Sequence, residues 1–364
     1  MKIKMILTNA FSIDVRVYKE ARYLVTRGNE VEILCWDKTP QKRLPQTENM
    51  EGINIRRFSI SAIAGSGVKQ LGAYLKFLRE CKKYLHDKKY DVVHCHDLDG
   101  AIIGCFLKHK LIFDMHEFYD KGSFLKAKIS HFATRAIAKK AIANIYVTPL
   151  SLEAYGHGIE KKFFQLKNYS DRNSFADIEK TQSSKLRVSY IGTVRNQLTE
   201  FHSLFEAVKD IDDIIVNIYG GGVDLAELEK MALLYNNVNV YGAFNGVSES
   251  EYIYKNTDVS YIAYSLTNPN YHGDFEPVKL YEAIATETPI VATKGLNIGR
   301  VALKYDIGKA VDTQNIKQIR QAFLDMLDKP ELIRRYSDNM KKIAKQFDWN
   351  EAVKVLDQIY LDMK

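Results

Sequence analysis

The residues whose types and spacing best suit chemistry lie in one stretch, Asp274-Phe-Glu276-Pro-Val-Lys279-Leu280-Tyr-Glu282, followed by Ala-Ile-Ala-Thr-Glu-Thr-Pro-Ile-Val. Pro277 suits the first turn of a helix, where its missing N–H would have no partner anyway. Lys279 and Glu282 stand three apart, so they share one face near that helix's N-terminus. The unpaired N–H groups and positive partial charge of such an end favour an anion, above all a phosphate. A lysine there adds a full charge, and a carboxylate one turn further in can accept hydrogen bonds from sugar or ribose hydroxyls. Taken alone, a capped surface helix with an i,i+3 ion pair reads the same way.

Two glycine-bearing loops in the same half supply context. Ile191-Gly192-Thr-Val-Arg195 follows an apolar run and sets an arginine, suited to bidentate phosphate contacts, within reach of the same crevice. Tyr219-Gly220-Gly221-Gly222 ends the next run and permits either close backbone approach to a ligand or a flexible turn. In the first half, polar groups cluster after short apolar runs: His94, His96 and Asp97, then Asp114, His116 and Glu117, with Asp14 and Arg16 near the start. Carboxyl ends of strands in an open parallel sheet are where ligands bind. Asp14 and Arg16 read equally as acceptor contacts or as a helix cap with a structural ion pair. His94-Cys95-His96-Asp97 raises the idea of a metal centre, but no further His or Cys pair has ligand spacing, so no metal is expected. Cys35, Cys81, Cys95 and Cys105 lack paired spacing and are expected as reduced thiols.

Positioning these groups requires alternating strands and helices. Short apolar runs at 2–7, 30–36, 53–59, 92–94 and 111–113 alternate with amphipathic stretches at 16–27 and 72–87, which is the pattern of βαβ units and a mainly parallel sheet. The pattern restarts after the polar stretch 169–185, with strands expected at 186–191, 214–219, 238–241, 259–263 and 289–292 and a helix at 278–286. At 364 residues, with 46% hydrophobic and 27% charged, two domains are expected. The longest apolar candidate, 101–113, is broken by Lys108, His109 and Lys110, so no membrane span is expected. The first ten residues are too short an apolar stretch for a signal peptide, which makes the expected location cytoplasmic or peripheral to the inner face of the plasma membrane.

Charge is distributed unevenly. Residues 1–170 carry 29 Lys+Arg against 17 Asp+Glu, whereas the rest carry 23 against 28. A basic half beside an acidic one suggests an anionic surface as partner. No acidic residue lies between Asp120 and Glu153, while Lys121, Lys126, Lys128, Arg135, Lys139 and Lys140 interleave with Phe124, Ile129, Phe132, Ile137 and Ile142. The segment 121–144 is expected as a basic helix docking its apolar face on the first domain and offering its charge to an anionic membrane. Nucleic acid is not expected, because no compact recognition motif accompanies the charge. Nor does a Gly-x-Gly-x-x-Gly follow the first strand, which argues against a dinucleotide oxidoreductase.

The spacing Asp274-x7-Glu282, followed by Ala-Ile-Ala-x-x-Thr-Pro-Ile-Val, resembles the acidic-x7-Glu signature of GT-B-fold retaining glycosyltransferases, especially glycosyltransferase family 4. Asp14-Val-Arg16, Arg27-Gly28-Asn-Glu-Val31, Asp91-Val-Val-His94-Cys-His96-Asp97, Phe113-Asp114-Met-His116-Glu117, Lys167-Asn168, Tyr241-Gly242, Asn256-Thr-Asp258 and Phe347-Asp-Trp349 match it in order over nearly the whole chain. Asp stands at the first acidic position, Thr199-Glu200 replace the usual lysine after Arg195, and Glu287 stands where the family usually has glycine.

The resemblance implies an α/β, GT-B fold of two doubly wound Rossmann-like domains facing a cleft. It implies an acceptor-binding domain at 1–168, a linker at 169–185, a nucleotide-sugar-binding domain at 186–346, and a C-terminal helix at 347–364 packing back on the first domain. The implied activity is transfer of a sugar from a nucleoside-diphosphate donor, UDP-sugar first and GDP-sugar second, to a glycan or lipid-linked hydroxyl acceptor, with retention and without a metal or other cofactor. Glu282 would bind ribose, Arg195 and Lys279 the diphosphate, with Gly192, Gly220, Gly221 and Leu280 on the donor side. Asp274 or Glu276 would hold sugar hydroxyls, and His116 would sit beside the reacting sugar. Asp14, Arg16, His96, Asp97 and Glu117 would face the acceptor. A GT-B nucleotide-sugar epimerase and a non-catalytic GT-B partner subunit are the alternatives.

Overall fold

In a computed structural model, the chain is described throughout except at residues 13, 40–43, 63–69, 121–122, 176–177, 247, 269–270, 272, 274, 362 and 364. It divides into two compact units, Met1–Asn168 together with Val353–Lys364, and Tyr169–Ala352.

The first unit is built around β1 (Lys2–Leu7), buried from Ile3 onward. It lies between parallel neighbours β2 (Glu30–Asp37) and β5 (Val92–His96). With β3 (Thr47–Met50), β4 (Ile53–Ser59), β6 (Lys110–Met115), β7 (Ala143–Tyr146) and β8 (Phe163–Gln165), the sheet order is β3-β4-β2-β1-β5-β6-β7-β8. Only β3 runs antiparallel. Strands buried on both faces read as continuous apolar runs, which is why the central ones were visible in the sequence and the short edge strands were not.

The helices are α1 (Val15–Thr26), α2 (Leu71–Leu85), α3 (Asp97–Cys105), α4 (Phe124–Lys140) and α5 (Pro149–Tyr155). From β1 to β2 the chain steps one way across the sheet; from β4 through β8 it steps the other way. Right-handed crossovers therefore set α1 on one face and α2 through α5 on the opposite face. Phe77 and Cys81 of α2, Ile103 of α3 and Ile137 of α4 share one core with Val93, Cys95 and Phe113.

In the second unit, β9 (Leu186–Ile191), β10 (Ile214–Tyr219), β11 (Val238–Gly242), β12 (Val259–Ile262), β13 (Ile290–Thr293) and β14 (Gly308–Val311) form an all-parallel sheet in the order β11-β10-β9-β12-β13-β14. One core packs α6 (Leu198–Val208), α7 (Leu225–Ala232) and α11 (Ile316–Asp328) against it through Phe205, Leu228 and Phe323. A second core packs α9 (Val278–Ala285), α10 (Asn297–Lys304) and α12 (Pro330–Ile343) through Leu280, Ile298 and Met340. The second unit also holds α8 (Ser250–Lys255) and α13 (Trp349–Ala352), while α14 (Val355–Leu361) belongs to the first unit.

Three expectations are corrected. Residues 169–185 do not stand apart as a linker: Phe175 and Ile178 pack beside Ile191 and Tyr254, and the Lys180 ammonium donates to the Tyr254 carbonyl at 2.8 Å. Scattered apolar residues in a polar stretch are enough to seat it when each fills a notch. The final return begins later than residue 347, because Trp349 is buried in the second unit and its N–H bonds the Ser170 carbonyl at 3.1 Å. Finally, α4 does not bury the apolar face expected of it. Phe124, Leu125, Ile129 and Phe132 are 75%, 68%, 62% and 77% exposed, while Thr134, Ile137 and Ala138 face the core. At 3.6 residues per turn these two sets fall on opposite sides of the helix. Among the described residues no helix is long and apolar enough to cross a membrane.

Candidate active site

In the second unit the candidate site forms where β9 and β10 end and α9 begins. The backbone turns at Gly192 with φ +139, a region that strongly favours glycine, and a Cβ there would meet the Lys279 ammonium at 2.7 Å. A Cβ on Gly220 would lie 1.8 Å from the Gly192 carbonyl oxygen, so the two loops touch only because Gly220 lacks a side chain. The loop carrying Arg195 is fastened from below: the Tyr190 hydroxyl donates to Gln197 Oε1 at 2.7 Å, and Gln197 Nε2 donates to the Ala263 carbonyl at 2.9 Å. Arg195 itself is exposed.

Helix α9 has Pro277 at its N-cap and no side-chain cap. Lys279 in its first turn is only 7% exposed, and among the described residues its ammonium has no hydrogen-bond partner. It lies 3.7 Å over the Tyr190 ring and 5.3 Å from that of Tyr264. Burial pulls its pKa down to about 7, with the Glu282 carboxylate opposing. One turn on, Glu282 accepts from the buried Tyr254 hydroxyl at 3.0 Å. An underprotonated cation beside glycine backbone, next to a held carboxylate, is a place where an incoming diphosphate would restore charge and a diol could be gripped.

In the first unit, β5 and β6 end in a buried ionic cluster. Arg16 pairs with Glu20 and with Asp114, each at 3.0 Å, and donates to the Leu166 carbonyl at 3.0 Å. Asp114 also takes His96 Nδ1 at 3.2 Å and His116 Nε2 at 3.1 Å. Burial raises the Asp114 carboxyl, but Arg16 and the neighbouring histidines outweigh it and hold the group well below the usual carboxylate range. Burial and the negative charge of Asp114 push Glu20 up to about 8. His116 is the member that reaches the surface, with 18% of its side chain exposed, and its Nδ1 lies 3.6 Å from Asp97. Burial lowers its pKa, but Asp114 and Asp97 lift it to about 9, so it is an imidazolium at neutral pH. Asp97 sits at φ +59, is 41% exposed and accepts from the Tyr119 hydroxyl at 2.8 Å.

Ligand atoms of Glu20, His94, His96 and Asp114 lie within 4.8 Å of one another, a set that sequence spacing missed because its members come from three elements. Such a set can hold a divalent cation; here Arg16 already gives both carboxylates a counter-charge.

The family model of glycosyl transferases group 1 matches residues 171–343, and that of the glycosyl transferase 4-like domain matches residues 13–158. The fold is similar along the chain to that of a sucrose-phosphate synthase from Thermosynechococcus elongatus, at 17% identity and TM-score 0.77, covering 100% of this chain and 99% of that one. The chain belongs to the GT-B glycosyltransferases. Its fold is also similar to HepE from Anabaena in complex with UDP and glucose (16% identity, TM-score 0.68, 99% of each chain). WaaG, a glycosyltransferase involved in lipopolysaccharide biosynthesis, is similar at 13% identity and TM-score 0.65, covering 97% of this chain and 99% of that one. No curated protein matches.

Within this glycosyltransferase the expected site residues separate. Gly192, Lys279 and Glu282 come together, with Gly220 and Gly221 packed against the loop that carries Arg195. Leu280 does not line the site with its side chain, because the helical period turns it wholly into the core. Half-buried Glu276 accepts hydrogen bonds from the Tyr281 hydroxyl and from Asn297 Nδ2, the latter at 3.0 Å. Asp274 lies outside the described residues. In the first unit His116 and Asp97 reach the surface together, and Glu117 is exposed. Arg16 and His96 are buried in the ionic cluster and so are withdrawn from an acceptor. Asp14 caps α1, accepting from the Val17 N–H at 3.2 Å. Tyr190, Gln197 and Tyr254 went unnoticed in the sequence, because nothing in a lone Tyr or Gln marks it as a buttress.

Proposed function

We propose that this glycosyltransferase moves a sugar from a nucleoside-diphosphate donor, a UDP-sugar first and a GDP-sugar second, to a hydroxyl of a glycan or lipid-linked acceptor. The transfer retains anomeric configuration and proceeds without a metal ion, in the synthesis of a surface polysaccharide or glycoconjugate. The observation that carries the reading is the buried Lys279 ammonium against Gly192 at the start of α9, without a hydrogen-bond partner among the described residues. Departure of the diphosphate builds negative charge, which Lys279, Arg195 and the helix end would stabilise most in the transition state. Glu282 would take the ribose hydroxyls, Asp274 or Glu276 the sugar hydroxyls, and the His116 imidazolium would stand beside the reacting sugar. The basic first half would hold the enzyme peripherally on an anionic membrane at the cytoplasmic face. Supporting the donor class, HepE was solved with UDP and with UDP-glucose; supporting the setting, WaaG belongs to lipopolysaccharide biosynthesis.

A thermal-shift panel of UDP-, GDP-, ADP- and TDP-sugars tests the reading, since a true donor raises the melting temperature by mass action. Lys279→Ala and Glu282→Ala should each weaken binding of that donor about tenfold or more, as expected for losing a hydrogen bond to a charged group. If no donor binds or is hydrolysed, the enzyme lacks the proposed substrate class. A C1-labelled donor whose label stays on an epimerised nucleotide sugar would favour the epimerase instead.

A further inference from the structure

The apolar residues of α4 lie on the wrong side for a helix that only covers a sheet. An ordinary surface helix turns its apolar stripe inward and its polar residues outward. Here the core-facing side consists of Thr134, Ile137 and Ala138, and the solvent side carries Phe124, Leu125, Ile129 and Phe132, all more than 60% exposed. Contiguous large apolar groups on a surface mark a place where something binds. Around them stand exposed Lys126, Lys128, Lys139 and Lys140, and the sequence holds no Asp or Glu from residue 121 to 152. The Lys128 ammonium lies 4.3 Å over the Phe124 ring, on a stem long enough to reach upward while the ring goes down.

The same sheet face carries further groups of both kinds. Helix α2 exposes Leu71 and Leu75, at 54% and 53%, along with Lys76, Arg79, Lys82 and Lys83, and Phe106 at the end of α3 is 54% exposed. A protein partner matching this surface would need acidic residues around an apolar groove. A bilayer with anionic headgroups over acyl chains offers that layering everywhere, and it tolerates the irregular spacing of the two kinds of group.

We propose that α4 lies in the plane of an anionic bilayer, with Phe124, Leu125, Ile129 and Phe132 inserted at the boundary between headgroups and acyl chains and the lysines engaging the headgroup phosphates. The inference rests on the peripheral attachment proposed above and deepens it from attraction by charge to insertion of named side chains. Helices of this kind bury their apolar face roughly 5–10 Å deep. The consequence for the substrate is that an acceptor anchored in the membrane is presented to the first unit without leaving the lipid.

The full-length protein is mixed with phosphatidylcholine vesicles, with or without roughly 30% phosphatidylglycerol, and binding is read by flotation. Wild type should bind the anionic vesicles, and raising salt from about 0.1 M to about 0.5 M should weaken that binding several-fold without abolishing it, because insertion is not screened. Replacing Phe124, Leu125, Ile129 and Phe132 together by Ser should cost about tenfold or more at either salt. Their exposure means the fold should survive, which the melting temperature checks. Phe132→Trp should shift its emission to the blue on binding, against a background of Trp36 and Trp349, both buried. Equal binding by the serine variant, or equal binding of wild type to neutral vesicles, overturns the proposal. So does a wild-type dimer in light scattering that the serine variant abolishes without any vesicle binding, which would make the face an interface between copies. None of these measurements needs a donor sugar, so failure here leaves the transfer reading standing, and failure of the donor panel leaves this one standing.

Discussion

Lys279 shows how one residue can be tuned by where it sits. A free lysine keeps its proton to about pH 10.4; burial against Tyr190 and Tyr264 lowers this one to about 7 despite the nearby Glu282. Because its folded pKa lies below its unfolded value, the unfolded chain binds the extra proton between about pH 7 and 10.4, and stability from this group rises with pH across that window. A diphosphate placed beside the ammonium reverses the preference. At about pH 8, UDP binding is therefore expected to take up close to one proton, seen by calorimetry in buffers of different ionisation enthalpy, and Lys279→Met should lose the uptake. Proton-neutral binding by wild type would place the diphosphate elsewhere. His116 is tuned with the opposite sign. Its pKa, lifted to about 9, lends stability that is complete below about pH 6.5 and disappears as pH rises through about 9.

At the scale of the element, α9 explains one departure from the family pattern. The helix ends in a Schellman motif, with the Thr288 N–H on the Ala283 carbonyl at 2.8 Å and the Glu287 N–H on that of Ile284 at 3.2 Å. Glu287 occupies the left-handed position of that motif, at φ +53. Glycine adopts this conformation without a Cβ clash, which is the physical reason for one at this place. Glu287→Gly is expected to stabilise the protein by roughly 0.5–1 kcal/mol in denaturant unfolding. A loss of stability would mean that the attraction between Glu287 and Lys180 outweighs the strain. The pattern of types and spacing was enough to place this helix and its Lys279–Glu282 face. The orientation of α4 could not be read in the same way, because apolar residues interleaved with lysines at near-helical spacing look alike whether the stripe turns inward or outward.

At the scale of the molecule, the chain completes its first unit with its last residues. Leu356, Ile359 and Tyr360 of α14 are buried, and the Tyr360 hydroxyl shares a 2.9 Å hydrogen bond with Nδ1 of the fully buried His94. On the same helix, Asp357 accepts from the Tyr23 hydroxyl at 2.7 Å and from Arg27 at 2.9 Å. Leu356→Ala should therefore cost about 2–5 kcal/mol, the range for emptying a buried Leu site. The loss should fall on the unfolding of the first unit and leave that of the second, followed by a domain-resolved probe such as hydrogen exchange, in place. An equal fall in both would show that the two units unfold as one.

The sequence alone determined the alternation of strands and helices, the tandem arrangement of two α/β units, and the acidic-x7-Glu stretch with its lysine. These are local or periodic properties, legible because burial on both faces of a parallel sheet writes continuous apolar runs and because helix ends carry their own residue preferences. Only the tertiary structure decided which of the polar residues are buried among partners and which stay exposed. Arg16 and His96 have the right types at the right spacing, yet each is buried among partners far away in sequence, Arg16 by Asp114 and Leu166, His96 by Asp114 and His116. A side chain's availability depends on what the fold brings against it, and that information is spread over the whole chain.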